Sequence, residues 1–347
     1  MDNFDVSMLV IQRTCTILAF SIHSLLTFLI LKYSPKSLGA YKYLLIYISI
    51  FELLYAILDV LVSPELFTHK SSFMLVIDSN KTFVPFWMLY PINLLFCGML
   101  GYSMGIFVIN FVYRWLAMKG SALLKTFDSP KLIIWITAPL SYGVVWMTIT
   151  GVTLKGNKWT DDVLVNQFLQ NRSILISEIV YVGPNYYPYK GYIDWIPITG
   201  MTVLTMMIFA SISAIIYFAT KSYQIMNSLV TTSANSARYR THQSQLLNAL
   251  VLQALIPFFL MHLPALFVFI LPFFSCGQQV FARIFSVTVA LYPVLDPLPT
   301  IFVVKYYRNA VLVLSKNLFS CSYCSSRPKA ALEAASSTAY HVPETQM

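Results

Sequence analysis

Apolar side chains along this chain fall in long unbroken stretches separated by short polar segments, without sustained alternation. Seven stretches are long enough to cross a bilayer core, which takes about 20 mostly apolar residues. They cover residues 8–31, 43–64, 86–113, 132–154, 195–220, 245–272 and 280–304. Continuous runs read as helices, whereas a membrane barrel would alternate apolar and polar positions. The pattern therefore predicts an all-α integral membrane protein, a seven-transmembrane helix bundle over residues 1–312. The tail, 313–347, turns rich in Ser, Ala and Pro and is expected to be disordered on the cytoplasmic side. No internal repeat of the kind that builds transporters from two halves is visible. The segment from Met1 to Ser7 is too short and acidic for a signal-peptide head, so the first span is expected to act as an uncleaved anchor.

Composition supports the pattern. Of 347 residues, 57% are hydrophobic and 11% charged, with a mean hydropathy of +0.67. One or two water-soluble cores could not hide that much apolar surface, so a soluble enzyme and a disordered chain are both excluded. Five cysteines, odd in number and sparse, argue against a disulfide scaffold. Cys321-x-x-Cys324 lacks further Cys or His for zinc and is better suited to palmitoylation near the membrane. No nucleotide loop, metalloprotease helix or catalytic triad occurs. An enzyme, a cofactor, a metal and a nucleic-acid partner are all unexpected, leaving membrane lipid as the surrounding medium.

Charge sets the expected orientation. With the N-terminus outside, the inner segments carry fifteen Lys or Arg against three acids, and the outer segments six against eight. Basic loops stay inside, so the N-terminus is expected outside and the C-terminus inside. Asn80-Lys81-Thr82 and Asn171-Arg172-Ser173 are glycosylation acceptors, and both Asn80 and Asn171 fall in outer loops on this topology. The 40-residue segment from Lys155 to Asp194 carries a Tyr-rich stretch, Tyr181 to Tyr189. It reads either as a lid over the bundle or as a mobile glycosylated loop.

Ionisable groups within spans are costly and mark candidate sites. Glu52 and Asp59 lie seven apart on one face of span two, and Asp296 sits in span seven at a depth similar to that of Glu52. Glu52 and Asp296 could share a polar pocket, as a switch, an ion site or a static hydrogen-bonded pair. At neutral pH such a pair would keep at least one proton. Tyr113-Arg114-Trp115 ends span three, either as an interfacial anchor or as a cationic latch for a cytoplasmic partner. Pro257, Pro264 and Pro272 each remove a hydrogen bond from span six, predicting that it bends more readily than its neighbours. On span three, Asn93, Phe96, Cys97 and Leu100 share one face in the outer third of the membrane. This face reads as ordinary packing or as the wall of a pocket for a small neutral ligand, with His262 a weaker candidate contact.

Four stretches carry a resemblance: Leu38 to Leu44 running into Ile50-Phe51-Glu52, Phe111 to Ala117, Gln245 to Pro257, and Tyr292 to Pro297 followed by Tyr307-Arg308. In this order the chain, over roughly residues 8 to 312, resembles the Str family of nematode serpentine chemoreceptors. The resemblance implies a G-protein-coupled olfactory-type receptor for a small environmental molecule, in the plasma membrane of sensory neurons and at their cilia. It casts Tyr113 and Arg114 as the contact for a heterotrimeric G protein, and Asp296 and Pro297 as part of the switch. Two departures from rhodopsin-like receptors stand out: no acid precedes Arg114, and Thr300 occupies the place of a switch tyrosine. A seven-span ligand-gated channel or small-solute transporter is the alternative reading.

Overall fold

The computed structural model describes residues 3–35, 38–127, 130–170, 172, 174–228 and 234–320, with backbone alone for 3–5, 234–240, 242 and 317–320. It is a seven-helix bundle. The spans are α1 (Asn3–Tyr33), α2 (Tyr41–Val62), α3 (Phe86–Lys119), α4 (Leu132–Thr153), α6 (Trp195–Ser228), the pair α7 (Ala234–Pro257) and α8 (Leu263–Phe273), and α9 (Gln279–Leu295) continued by α10 (Pro297–Val303). A short α5 (Lys158–Val163) and a final α11 (Lys305–Ser320) lie outside them. Each span begins and ends within a few residues of its hydropathy limit, except where a helix outruns its apolar stretch. Thus α3 runs on through Lys119 and stops at Gly120, whose φ of +65° ends the helix in the left-handed conformation. Arg114 therefore lies within the helix rather than at its end.

The tail also holds more helix than its composition predicts. α11 extends past residue 313 because Tyr307, Ala310, Val311 and Leu314 repeat at helical spacing and pack against the bundle. The expected disorder from 321 onward, and the acceptor sites Asn171, Cys321 and Cys324, lie outside the described residues.

α3 and α4 meet along a seam of small residues. A β-carbon on Gly101 would lie 2.9 Å from that of Trp146, and one on Gly105 would lie 2.8 Å from the Cα of Pro139. Backbones this close gain dispersion contacts that lipid cannot supply, which is how helices associate in membranes. Between α7 and α8 the helix widens into one π turn, Phe258–His262, flanked by Pro257 and Pro264. Prolines and π turns are the usual causes of helix bending, and span six contains both.

Hydropathy gave no sign of a sheet. Three antiparallel strands, β1 (Glu65–His69), β2 (Ser72–Asp78) and β3 (Ile179–Val182), pair in the order β1-β2-β3 over one end of the bundle. Leu66 faces Leu75 across the first pair, and Val76 faces Tyr181 across the second. The run Phe73 to Ile77 is apolar throughout and buried throughout, so it shows no alternation, and it is too short to span. The free edge of β1 is covered by Gln279, whose side chain accepts from the Thr68 amide (2.9 Å) and donates to the Leu66 carbonyl (3.1 Å). Arg172 grips Glu65 through two hydrogen bonds of 2.7 and 2.8 Å, fixing the long loop to β1. That loop lies down on the bundle: Tyr186 is buried and its hydroxyl donates to the Phe269 carbonyl at 3.4 Å.

Candidate functional site

Beneath the sheet lies a cavity with about 590 Å³ of empty space, counting its mouth. Its roof is Leu66, Phe73, Leu75, Val182 and Gly183 of the sheet and the turn after it; Tyr55, Phe96, Cys97, Leu100, Trp146, Thr150, Leu154, Met201, Leu204, Phe269 and Phe285 line the rest. Gly183 is required there: at φ +157° a β-carbon would sit 2.1 Å from the Phe73 carbonyl oxygen. Two ring pairs frame the space, Tyr55 on Phe96 at 5.2 Å and Phe73 on Phe269 at 5.3 Å. Among the described residues no Asp, Glu, Lys, Arg or His borders it. Concave, largely apolar sites with few polar groups suit small neutral ligands.

Deeper in the bundle, a polar cluster joins four spans. His23 on α1 reaches the Pro293 carbonyl through Nε2 (2.9 Å) and Ser49 of α2 through Nδ1 (2.8 Å). The carbonyl is available for a simple reason: its helical partner four residues on is Pro297, which has no amide hydrogen. Because that oxygen only accepts, Nε2 carries the hydrogen and Nδ1 accepts from the Ser49 hydroxyl in the neutral ring. Glu52 is wholly buried; Oε1 accepts from the Tyr292 hydroxyl at 3.2 Å and Oε2 lies 3.1 Å from His23 Nε2. Asp296, equally buried, accepts from Gln253 of α7 at 3.3 Å. The two carboxyls also lie within hydrogen-bonding reach of each other. Carboxylates only accept, so that contact needs a proton on one of them.

The third cluster is at the end of the bundle away from the sheet. Arg114 is only 2% exposed, its guanidinium stacked 3.4 Å from the centre of the Tyr41 ring, and Nη1 donates to Gln243 at 3.3 Å. Tyr113 stacks on Tyr41 in turn, at 5.4 Å. Among the described residues Arg114 has no carboxylate partner, and Nε and Nη2 have no acceptor. Burial holds the nearby Tyr306 phenol well above its ordinary value, Tyr307 adding to the effect and the Arg114 charge opposing it. Tyr307, also buried, shares a 2.7 Å hydrogen bond with Ser34.

Sequence comparison identifies the fold. Residues 8–312 match the family of serpentine type 7TM GPCR chemoreceptors, Str. The chain belongs to the Str family. Among its relatives, G-protein coupled receptor str-217 of Caenorhabditis elegans is 34% identical over 335 residues, covering 91% of this chain and 92% of its own. The serpentine receptor class r-10 proteins of Caenorhabditis elegans and Caenorhabditis briggsae are 30% and 29% identical, covering 81% and 85% of this chain and 83% and 86% of their own. It is thus a multi-pass membrane protein of a chemosensory G-protein-coupled receptor family, and its relatives are named as receptors rather than enzymes.

Within this Str receptor, the residues singled out from sequence separate into groups. Phe96, Cys97 and Leu100 face the cavity. Asn93 instead donates to the Leu75 carbonyl at 3.1 Å, fastening β2 to α3. His262 lies buried in the π turn, bonded to the Pro257 carbonyl, and is absent from the cavity wall. Glu52 and Asp296 are brought together, whereas Asp59 pairs with Gln12 at 3.3 Å. Tyr113 and Arg114 sit in the enclosed cluster. Cys15, Cys97 and Cys276 are free thiols. Sequence reading missed His23, Ser49, Gln253 and Tyr292, each a polar group within a largely apolar run. The spacing of Pro293 and Pro297 was the available signal for His23, since it leaves one carbonyl needing a donor.

Proposed function

We propose that this receptor binds a small, neutral environmental molecule in the cavity beneath the sheet and signals to a heterotrimeric G protein at the Arg114 end. On this reading the sheet faces outside, the N-terminus is extracellular, and the receptor resides in the plasma membrane at a sensory-neuron cilium. The observation that carries it is the cavity itself, walled by six spans, roofed by a sheet and, among the described residues, free of charge along its lining. The Glu52–Asp296–His23 cluster stands between the two ends and touches four spans, so a ligand that shifts one span alters contacts in the others. Arg114 is closed off as it stands. Coupling requires Tyr41 and Gln243 to part from it, which the jointed sixth span, carrying Gln243 on α7, is built to allow.

The test is expression in cells with a G-protein dissociation sensor and a panel of volatile and water-soluble compounds. An agonist response is expected, lost in Arg114→Ala at equal surface level and shifted in ligand preference by Phe96→Ala. An unaltered response in both variants rejects the reading.

A further inference from the structure

Four threonines lie on α4, and three of them bond to their own helix. Thr137, Thr148 and Thr153 donate to the carbonyls of Ile133, Val144 and Ile149 at 2.9, 2.8 and 2.8 Å. This is the ordinary way a hydroxyl is satisfied in a helix surrounded by lipid. Thr150 is the exception. Its residue is 2% exposed, it borders the cavity, and its Oγ1 has no hydrogen-bond partner among the described residues. A buried hydroxyl without a partner is destabilising, and a rotation toward the Trp146 carbonyl four residues back would relieve it. The remaining wall is aliphatic, aromatic or sulfur-bearing apart from the phenol of Tyr55, whose ring lies stacked on Phe96.

We infer that Thr150 is the polar determinant of ligand choice, its hydroxyl bonding to a single oxygen or nitrogen acceptor on an otherwise apolar, uncharged molecule. This rests on the reading of the cavity as the ligand site. Two features give it its chemical limits. A charged ligand would meet no counter-ion among the described wall residues and would lose its hydration, which is strongly unfavourable. A pure hydrocarbon would fill the space but leave Oγ1 as it is. A carbonyl, ether or alcohol on a short alkyl chain meets both demands, with its oxygen at Thr150 and its chain against Phe96, Leu100 and Met201.

The experiment uses the full-length receptor purified in detergent and follows its thermal unfolding by intrinsic fluorescence. The probes are straight-chain methyl ketones, primary alcohols, ethers, alkanes and carboxylates of matched length. Ligands that bind the folded state raise its melting temperature. Neutral oxygenated probes are expected to raise it more than alkanes, and carboxylates not at all. Thr150→Val keeps the shape and removes the hydroxyl, so it should weaken the apparent affinity for oxygenated probes about three- to tenfold and leave alkanes unchanged. Thr150→Ser should retain wild-type preference, which a loss of fold in the valine variant could not imitate. Equal affinities in wild type and Thr150→Val, a preference for carboxylates, or no binding of any oxygenated probe would overturn the inference. Leu100→Trp, which fills the cavity, separates the two levels. If it abolishes binding while Thr150→Val changes nothing, the cavity stands and the role of Thr150 falls. If it leaves binding intact, the cavity reading itself falls.

Discussion

Replacing Tyr41 by Leu tests whether the enclosure of Arg114 holds the receptor silent. The guanidinium lies 3.4 Å from the ring centre and is 2% exposed, so the contact is a desolvated one. Cation–π contacts in such surroundings contribute roughly 1–2 kcal/mol. A contact made only while Arg114 is enclosed stabilises that state alone. Its loss should raise the ratio of open to closed receptor about five- to thirtyfold, at ~1.4 kcal/mol per factor of ten. From a resting open population of about 1%, the basal signal would climb to between about 5 and 25% of the maximum. Tyr41→Phe keeps the ring and serves as the control. The assay is agonist-free G-protein dissociation, normalised to surface receptor. Unchanged basal signalling in Tyr41→Leu at matched expression, or an equal rise in Tyr41→Phe, refutes the reasoning.

Glu52→Gln and Asp296→Asn each allow an amide to replace the proton-dependent carboxyl contact, and should shift basal signalling or agonist potency at least several-fold. If both dose–response curves superimpose on wild type, the cluster is structural only. Gly183→Ala places a methyl against the Phe73 carbonyl and should destabilise the sheet by about 2 kcal/mol or more, lowering the melting temperature and the affinity of any cavity ligand. Wild-type values for both would mean that the turn absorbs the clash. Asn80, one residue into a short turn after β2, should carry a glycan removable by glycosidase and lost in Asn80→Gln; an unglycosylated, intracellular Asn80 would invert the proposed orientation.

The seven spans were legible because each is a single physical signal, a run of apolar residues long enough to cross hydrocarbon. The sheet was not. Phe73 to Ile77 is buried on both faces, so it lacks the alternation that marks a half-exposed strand, and its partner β3 lies about a hundred residues away in a loop. The site was legible in part. Helical spacing put Phe96, Cys97 and Leu100 on one face, and similar depth put Glu52 near Asp296. Neither rule could reveal that Asn93 would turn to the Leu75 carbonyl, since the roof it holds was itself unseen. Arg114 showed the same limit. Its charge and position were plain, but the Tyr41 ring comes from the start of another span, and only packing brings the two together.

The π turn at Phe258–His262 has a bearing on how Str sequences can be aligned and engineered. Such a turn accommodates one residue more than the α-helix would over the same rise. Each residue of an α-helix accounts for about a hundred degrees of rotation, so the two halves of span six are out of phase by that angle. Deleting any one residue between Phe258 and His262 would restore ordinary pitch and swing Leu263–Phe273 round as a block. Phe269 would leave the cavity wall, while Leu246 and Leu250, before the turn, kept their places in the core. A single-residue gap here is thus a rotation of the cavity-facing half of the helix, and a chimaera joined across it inherits the phase of whichever parent supplies the turn.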